Sequence, residues 1–169
     1  RDGSFLYHLA CSMRSENILE LGTNLGLGAL YLSHTDCCRR LVTIEGCASL
    51  AQKAVSAFAA LGTSNISTLT ADFADALPDA LLMLPTLDFV FFDGNHRLQP
   101  TIQYFETCLP KVHNNTVFVF DDIHKNIEME EAWRKIAANN QVTLTVDMFT
   151  MGIAFFRHQL SKQMVCLHY

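Results

Sequence analysis

Basic residues are scarce in this chain, and they form no cluster. The 12 Lys and Arg residues are outnumbered by 17 Asp and Glu residues, which leaves a formal net charge of −5. Proteins that bind nucleic acid through its phosphate backbone need a concentrated positive surface. The composition therefore disfavours a nucleic-acid partner, and a small neutral or cationic ligand is easier to accommodate.

Long apolar runs and paired cysteines are also missing. The longest apolar stretch, residues 80–92, is interrupted by Pro85, Thr86 and Asp88, so we expect no membrane span. The six cysteines include no CxxC pair, and no signal peptide is recognisable. We therefore interpret the cysteines as free thiols and expect a cytoplasmic protein.

The composition is that of a folded protein, because hydrophobic residues make up 50% of the chain and charged residues 17%. A length of 169 residues suffices for one domain with a full core. The first residue is Arg1 and not Met, and the first predicted strand already begins at residue 17. We therefore expect a single domain over residues 1–169 that lacks an N-terminal segment.

Short β-branched and apolar runs alternate with helix-like segments along the chain. This alternation predicts an α/β fold with an open, largely parallel sheet and helices on both of its faces. No helix separates the last two predicted strands, so we expect a hairpin there with one antiparallel strand. The seven predicted strands are 17–22, 41–45, 66–70, 87–92, 116–120, 142–149 and 152–157.

Three glycines, Gly22, Gly26 and Gly28, lie between the first predicted strand and the helix that follows it. They indicate either a tight strand-to-helix turn or a loop whose backbone a nucleotide approaches closely. Short-chain dehydrogenases share this spacing, but they also need a Tyr-xxx-Lys pair, and no tyrosine here has Lys four residues later. Glu20, just before the loop, would oppose a pyrophosphate and suits a ligand with a positive end.

Acidic residues follow each of the first five predicted strands. Ligands of open α/β sheets bind beyond the carboxyl ends of the strands. Clustered carboxylates repel one another, and a purely structural sheet does not need them. The polar residues in question are Glu20, Glu45, Asp72, Asp93 with Gly94, Asn95 and His96, and Asp121 with Asp122, Ile123 and His124.

Several of these side chains are placed to bind a nucleoside cofactor. Glu45 is positioned to accept both ribose hydroxyls, and the alternative is an exposed strand-end carboxylate. Asp72 and Phe73 are placed to meet the edge and face of an adenine, and the alternative is an ordinary loop acid beside a core Phe. S-adenosylmethionine carries an ammonium and a sulfonium and no phosphate, so it agrees with the position of Glu20.

Four segments combine into a more specific pattern. They are ILELGTNLGLGALYL at 18–32, LVTIEG at 41–46, LDFVFFDGNH at 87–96 and VFVFDDIH at 117–124. In this order they resemble class I S-adenosylmethionine-dependent methyltransferases, in particular the O-methyltransferases related to catechol O-methyltransferase and their bacterial relatives. The resemblance extends from about Gly3 to Arg157, and the tail from residue 146 is similar to a bacterial subgroup. It implies a Rossmann-like, doubly wound sheet of seven strands with the last strand antiparallel.

The resemblance also implies the residues of the site. It implies Mg²⁺ at Asp93, Asp121 and Asp122, although the metal-dependent members usually have Asn at the last position. Gly28 stands where a serine is common. The residues implied for binding S-adenosylmethionine are Glu20, Gly22, Thr23, Asn24, Gly26, Glu45, Gly46, Asp72, Phe73 and Asp93.

Two residues are the candidates for catalysis, His96 and Asp93. His96 lies three residues after Asp93, where the metal-dependent members usually carry a catalytic lysine. A neutral histidine is suited to take the proton of an acceptor hydroxyl, because its unperturbed pKa is about 6.5. The alternative is that His96 only hydrogen-bonds the cofactor or a carboxylate. For His124, the alternative is a residue at the start of a helix that takes no part in the reaction.

The expected function is in-line transfer of a methyl group to a hydroxyl of a small molecule. The alternatives are an NAD(P)-dependent dehydrogenase of the short-chain type, a cofactor-binding module without turnover, and a methyltransferase acting on tRNA or protein. In the family, N-terminal helices and an insert near the last strands shape the acceptor pocket, so we expect an open acceptor site here. The sequence is compatible with a homo-oligomer.

Overall fold

An eight-stranded sheet covered by helices on both faces organises the chain. The computed structural model describes residues 2–167. A 3-10 turn at Leu109–Lys111 follows the fifth helix. In chain order the elements are α1 (Asp2–Met13), β1 (Asn17–Leu21), α2 (Leu27–Ser33), β2 (Arg40–Glu45), α3 (Ala48–Ala60), β3 (Ile66–Thr70), α4 (Phe73–Met83), β4 (Phe89–Phe92), α5 (Leu98–Cys108), β5 (Val117–Asp121), α6 (Ile127–Ala138), β6 (Leu144–Asp147), β7 (Met151–Phe155) and β8 (Gln163–Cys166).

The strand order is β3-β2-β1-β4-β5-β7-β6-β8. The first five strands pair in parallel, while β7 runs antiparallel to both β5 and β6. The predicted α/β fold, with its mostly parallel, doubly wound sheet and one antiparallel strand, is therefore confirmed. The chain reverses its direction of strand addition between β1 and β4, which creates a switch point at the centre of the sheet.

The predicted count of seven strands is wrong by one, because β8 adds a further strand beside β6. All four residues of β8 are exposed, so the strand has no buried face. Sequence patterns detect strands through burial on one or both faces, and this edge strand carries no such signal. The helix α1, in a segment for which no element was predicted, packs against α2.

Two apolar layers hold the helices to the sheet. One layer joins α1, α2 and α3 to one face through residues such as Leu6, Leu32 and Phe58. The other joins α4, α5 and α6 to the opposite face, where the rings of Phe92 and Phe120 stack with centroids 4.3 Å apart. Because β1, β4 and β5 are buried on both faces, their near-continuous apolar sequences are those of central parallel strands.

The hydrogen-bond ladder of the sheet continues past the strand ends and positions the loops. The Gly22 and Thr23 N–H groups both donate to the Ile44 carbonyl, at 3.0 and 3.2 Å. The Asp93 N–H donates to the Leu21 carbonyl at 2.8 Å. The loops after β1, β2 and β4 are therefore fixed side by side at the switch point. Within residues 2–167, every helix falls short of the length and apolarity that crossing a bilayer requires.

Candidate active site at the switch point

The chain's own packing requires each of the three loop glycines. Gly22 has φ +110°, and a Cβ atom there would overlap the Asp93 carbonyl oxygen. Gly26 has φ +86° at the start of α2, and its Cβ would lie 2.6 Å from the Phe58 ring. A Cβ on Gly28 would overlap the Glu20 carboxyl oxygen Oε1. A tight strand-to-helix turn therefore accounts for the glycines, and it leaves room for a ligand only beside the loop.

Glu20 is buried under this loop, with 1% of its surface exposed. Its Oε2 accepts a hydrogen bond of 2.6 Å from the Thr43 hydroxyl. The Thr43 oxygen lies 2.6 Å from that of Thr23, so Thr23 donates in turn to Thr43. Burial raises the pKa of Glu20 to about 8, and the nearby Asp93 and Glu45 add to the rise. Glu20 is therefore mostly protonated at neutral pH.

Glu45, at the end of β2, holds the glycine loop in place. Its Oε2 accepts the Asn24 N–H at 2.8 Å, and its Oε1 accepts the Cys47 N–H at 2.9 Å. Each carboxylate oxygen has a second lone pair, so Glu45 keeps acceptor capacity for a ligand. Gly46 follows, and a Cβ atom there would lie 3.4 Å from Asp72 Oδ1.

Asp72 and Phe73 stand at the start of α4. Asp72 occupies the N-cap position, but its exposed side chain makes no capping hydrogen bond. Phe73 is half-buried, lies against Gly94 and meets the Tyr104 ring edge-on with centroids 5.7 Å apart. Phe73 thus belongs in part to the core, and its contact with an adenine stays a prediction.

The ends of β4 and β5 bring the remaining acids together. The carboxyl groups of Asp93 and Asp121 lie close enough for each to act on the pKa of the other. Burial and the charge of Asp121 raise the pKa of Asp93 to about 7, and burial and Asp122 also raise the pKa of Asp121. This pair therefore carries less than its full negative charge near neutral pH.

His96 faces these acids. Its Nε2 lies 3.9 Å from Asp93 Oδ1 and 3.8 Å from Asp122 Oδ2. Burial and the positive charge of Lys125 lower the pKa of His96, so the imidazole is neutral at pH 7. Three residues here, Asn95, His96 and Asp122, have positive φ values of 67°, 34° and 55°. Left-handed backbone at residues other than glycine costs free energy and is concentrated at functional sites.

Sequence reasoning missed two contributors to the site, Thr43 and Lys125. Thr43 is a fully buried hydroxyl residue in the apolar middle of β2, and a polar residue at such a position can be recognised from the sequence. The Lys125 Nζ lies 2.6 Å from Asp122 Oδ2, three residues earlier in the chain. His124 is not part of α6; its Nε2 lies 2.9 Å from Asp147 Oδ2, which ties the loop after β5 to β6.

A cavity of about 150 Å³ opens between the glycine loop and the end of β4. Two carboxyl groups and no cationic side chain contribute to its wall. The structure thus brings together most of the predicted loop residues around one space. The lining residues are Glu20, Gly22, Thr23, Asn24, Leu25, Leu27, Gly28 and Asp93.

The predicted Mg²⁺ ligands do not fit a divalent cation as they are arranged. Asp122 Oδ2 is paired with the Lys125 ammonium at 2.6 Å, so this carboxylate already has a cationic partner. Over the part of the chain that the structure describes, no three His, Cys, Asp or Glu side chains are grouped so that they could hold a metal ion. Oxygen ligands for such a cation must be deprotonated and directed at one point.

Residues 19–123 match the family model described as a methyltransferase domain. The chain belongs to this methyltransferase family. The matched segment runs from β1 to the end of β5 and contains the glycine loop, Glu45, Asp93 and His96. No curated protein matches the chain.

Solved structures share the fold of this methyltransferase domain. The O-methyltransferase from Bacillus cereus in complex with SAH (S-adenosylhomocysteine) is 22% identical, with a TM-score of 0.76 over 91% of this chain and 80% of that one. The O-methyltransferase TomG from Streptomyces achromogenes, in complex with SAM (S-adenosylmethionine), is 24% identical, with a TM-score of 0.77 over 92% and 79%. The SAH-bound Podospora anserina methyltransferase PaMTH1 is 16% identical, with a TM-score of 0.79 over 92% and 78%.

The buried Glu20 makes the stability of this methyltransferase domain depend on pH. In the folded chain Glu20 keeps a proton between pH 4.5 and about 8 that the unfolded chain releases. The free energy of unfolding should therefore fall as pH rises through this window, by at most about 1.4 kcal/mol per pH unit for this group. Glu20→Gln should flatten the fall in urea unfolding curves measured across the window.

Glu131→Gln is the matched control for that measurement. Glu131 is half-exposed, and its hydrogen bond with Arg134 lowers its pKa below 4.5, so it is ionised in both states over most of the window. In the Glu131→Gln variant, the free energy of unfolding should fall with pH in parallel with that of the wild type. An equally steep fall in the Glu20→Gln variant would contradict the assignment.

Proposed function

We propose that the chain is a SAM-dependent O-methyltransferase that acts on a hydroxyl of a small molecule. The observation that carries this proposal is the cavity beside the glycine loop, which has Glu20 and Asp93 in its wall and no cationic side chain. A ligand with positive groups would favour the ionised forms of these two carboxyl groups, whereas a pyrophosphate would oppose them. The relatives solved with SAM or SAH support the same cofactor.

The residues present fit this cofactor along the strand ends. Glu20 and Asp93 would face its ammonium end, and Glu45 would accept its ribose hydroxyls with the lone pairs left by Asn24 and Cys47. Asp72, exposed beside Gly46, would meet the adenine edge together with Phe73. When bound, the cofactor supplies an electrophilic methyl group on a sulfonium.

The chain's own part in the reaction is to hold the acceptor oxygen and remove its proton. His96 Nε2 is neutral near pH 7 and takes the proton of the acceptor hydroxyl. The carboxylates of Asp93 and Asp122, 3.9 and 3.8 Å from Nε2, then stabilise the imidazolium. An acceptor oxygen held roughly 3–3.5 Å from the methyl carbon, in line with the carbon–sulfur bond that breaks, would supply much of the remaining acceleration.

Membership of the methyltransferase family removes the dehydrogenase alternative. A small-molecule acceptor is proposed over tRNA because the chain has a net charge of −5 and no basic cluster. A module that binds the cofactor without turnover is the remaining competitor, and only a turnover assay separates the two. Cytoplasmic location, bacterial origin and oligomeric state stay predictions.

Calorimetric titration with SAH tests the cofactor assignment without knowledge of the acceptor. We expect micromolar binding to the wild type. Glu45→Ala removes the ribose acceptor and the anchor of Asn24, so it should weaken binding at least about tenfold, which equals about 1.4 kcal/mol. Glu106→Ala, an exposed carboxylate on α5, should bind like the wild type. Binding of NAD⁺ in place of SAH, or an unchanged Glu45→Ala affinity, would refute the assignment.

The role of His96 is tested by turnover, measured as SAH release with a panel of hydroxylated small molecules. His96→Gln should lower kcat by about 100-fold or more, because general-base catalysis is worth this much, while the affinity for SAH changes little. The wild-type kcat should fall only below about pH 6.5, since burial lowers the pKa of His96 from its ordinary value.

The control for this experiment is His158→Gln, which changes an exposed histidine in the segment after β7. An unchanged kcat in the His96 variant would mean that His96 only positions other groups. SAH binding to a folded chain without turnover of any acceptor in the panel would favour the inactive module.

A further inference from the structure

A lysine lies where the family resemblance implies a metal ion. The Lys125 ammonium is 2.6 Å from Asp122 Oδ2, and its charge also acts on Asp121 and Asp93. The same Asp122 oxygen is 3.8 Å from His96 Nε2, so Asp122 stands between the ammonium and the candidate base. Lys125 therefore contacts Asp122 directly, and its charge reaches the carboxyl groups of Asp93 and Asp121.

Local backbone structure holds Lys125 in this position. The Lys125 N–H donates to the Asp122 carbonyl at 3.0 Å, which closes a turn over residues 122–125. Asp122 has φ +55°, a conformation that Asp and Asn adopt more readily than other residues. The ion pair thus links residues of one turn, and it forms without ordering a distant side chain.

The Lys125 ammonium occupies the Asp122 oxygen that a divalent cation would need. The distance of 2.6 Å between Nζ and Oδ2 makes the pair a direct, charged hydrogen bond. A divalent cation would have to displace this ammonium before it could use Asp122 as a ligand. Among the described residues 2–167, no three His, Cys, Asp or Glu side chains are grouped so that they could hold a metal ion.

We infer that Lys125 is the built-in cation of this site, which replaces a divalent metal ion at Asp93, Asp121 and Asp122. Lys125 is a positioning residue: it holds Asp122 beside His96 and offsets the negative charge that develops as the acceptor loses its proton. The exclusion of metal is independent of the proposed function, whereas this role in turnover rests on it.

Titration with Mn²⁺, followed by electron paramagnetic resonance, tests the exclusion on the purified chain without any acceptor. The wild type should bind no Mn²⁺ at micromolar concentrations. Lys125→Gln leaves Asp122 without its partner, so Mn²⁺ affinity should rise at least about tenfold, as expected when a charged competitor is removed. Adding Asp122→Asn to that variant should abolish the gain.

Lys125→Arg keeps the charge and should behave like the wild type, while Lys53→Gln, on an exposed lysine of α3, controls for net charge. Micromolar Mn²⁺ binding by the wild type that Asp122→Asn removes would overturn the inference. So would a folded Lys125→Gln variant without any gain in affinity.

SAH titration of the same variants separates this inference from the proposed function. All of them should bind SAH with the wild-type affinity in the presence of EDTA. If the wild type does not bind SAH, the proposed function is contradicted. The Mn²⁺ titration would still test the exclusion of metal, because it does not depend on SAH. With an acceptor in hand, wild-type turnover should be insensitive to EDTA, and Lys125→Arg should retain more activity than Lys125→Gln.

Discussion

The site depends on the close approach of two backbone segments at the switch point of the sheet. Gly22 leaves β1 so near to the Asp93 carbonyl that no side chain fits between them, and the Asp93 N–H donates to Leu21 at 2.8 Å. This contact places the glycine loop beside the acids that follow β4. Any larger residue at Gly22 would push apart the two loops that enclose the cavity.

Burial of acids around that contact determines the electrostatics of the site. Glu20 and Asp93 have raised pKa values because both are withdrawn from water, and they are partly neutral when no ligand is bound. Perturbed carboxyl groups in a cavity are typical of functional sites and cost stability. A ligand with positive groups would favour their ionised forms, so binding and proton release are expected to be coupled.

The sequence predicted those parts of the molecule that burial and spacing determine. The strand Ile66–Thr70 agrees with its predicted bounds, and the acids of β1, β2 and β4 lie at the carboxyl ends of neighbouring parallel strands. The strand β8 has only four residues, all of them exposed, so burial left no pattern in its sequence. The left-handed backbone of Asn95, His96 and Asp122 depends on tertiary contacts that one sequence does not encode locally. The pairing of Asp122 with Lys125 is local, but it forms in the turn over residues 122–125, which no apolar pattern marks.

A crystal structure of the chain with SAH bound tests the central claim, a SAM site at the switch point, most directly. The expected result has the ribose hydroxyls hydrogen-bonded to Glu45 and the amino-acid end of SAH in the cavity between Glu20 and Asp93. SAH bound elsewhere, or bound with its ribose away from Glu45, would contradict the assignment of this cavity.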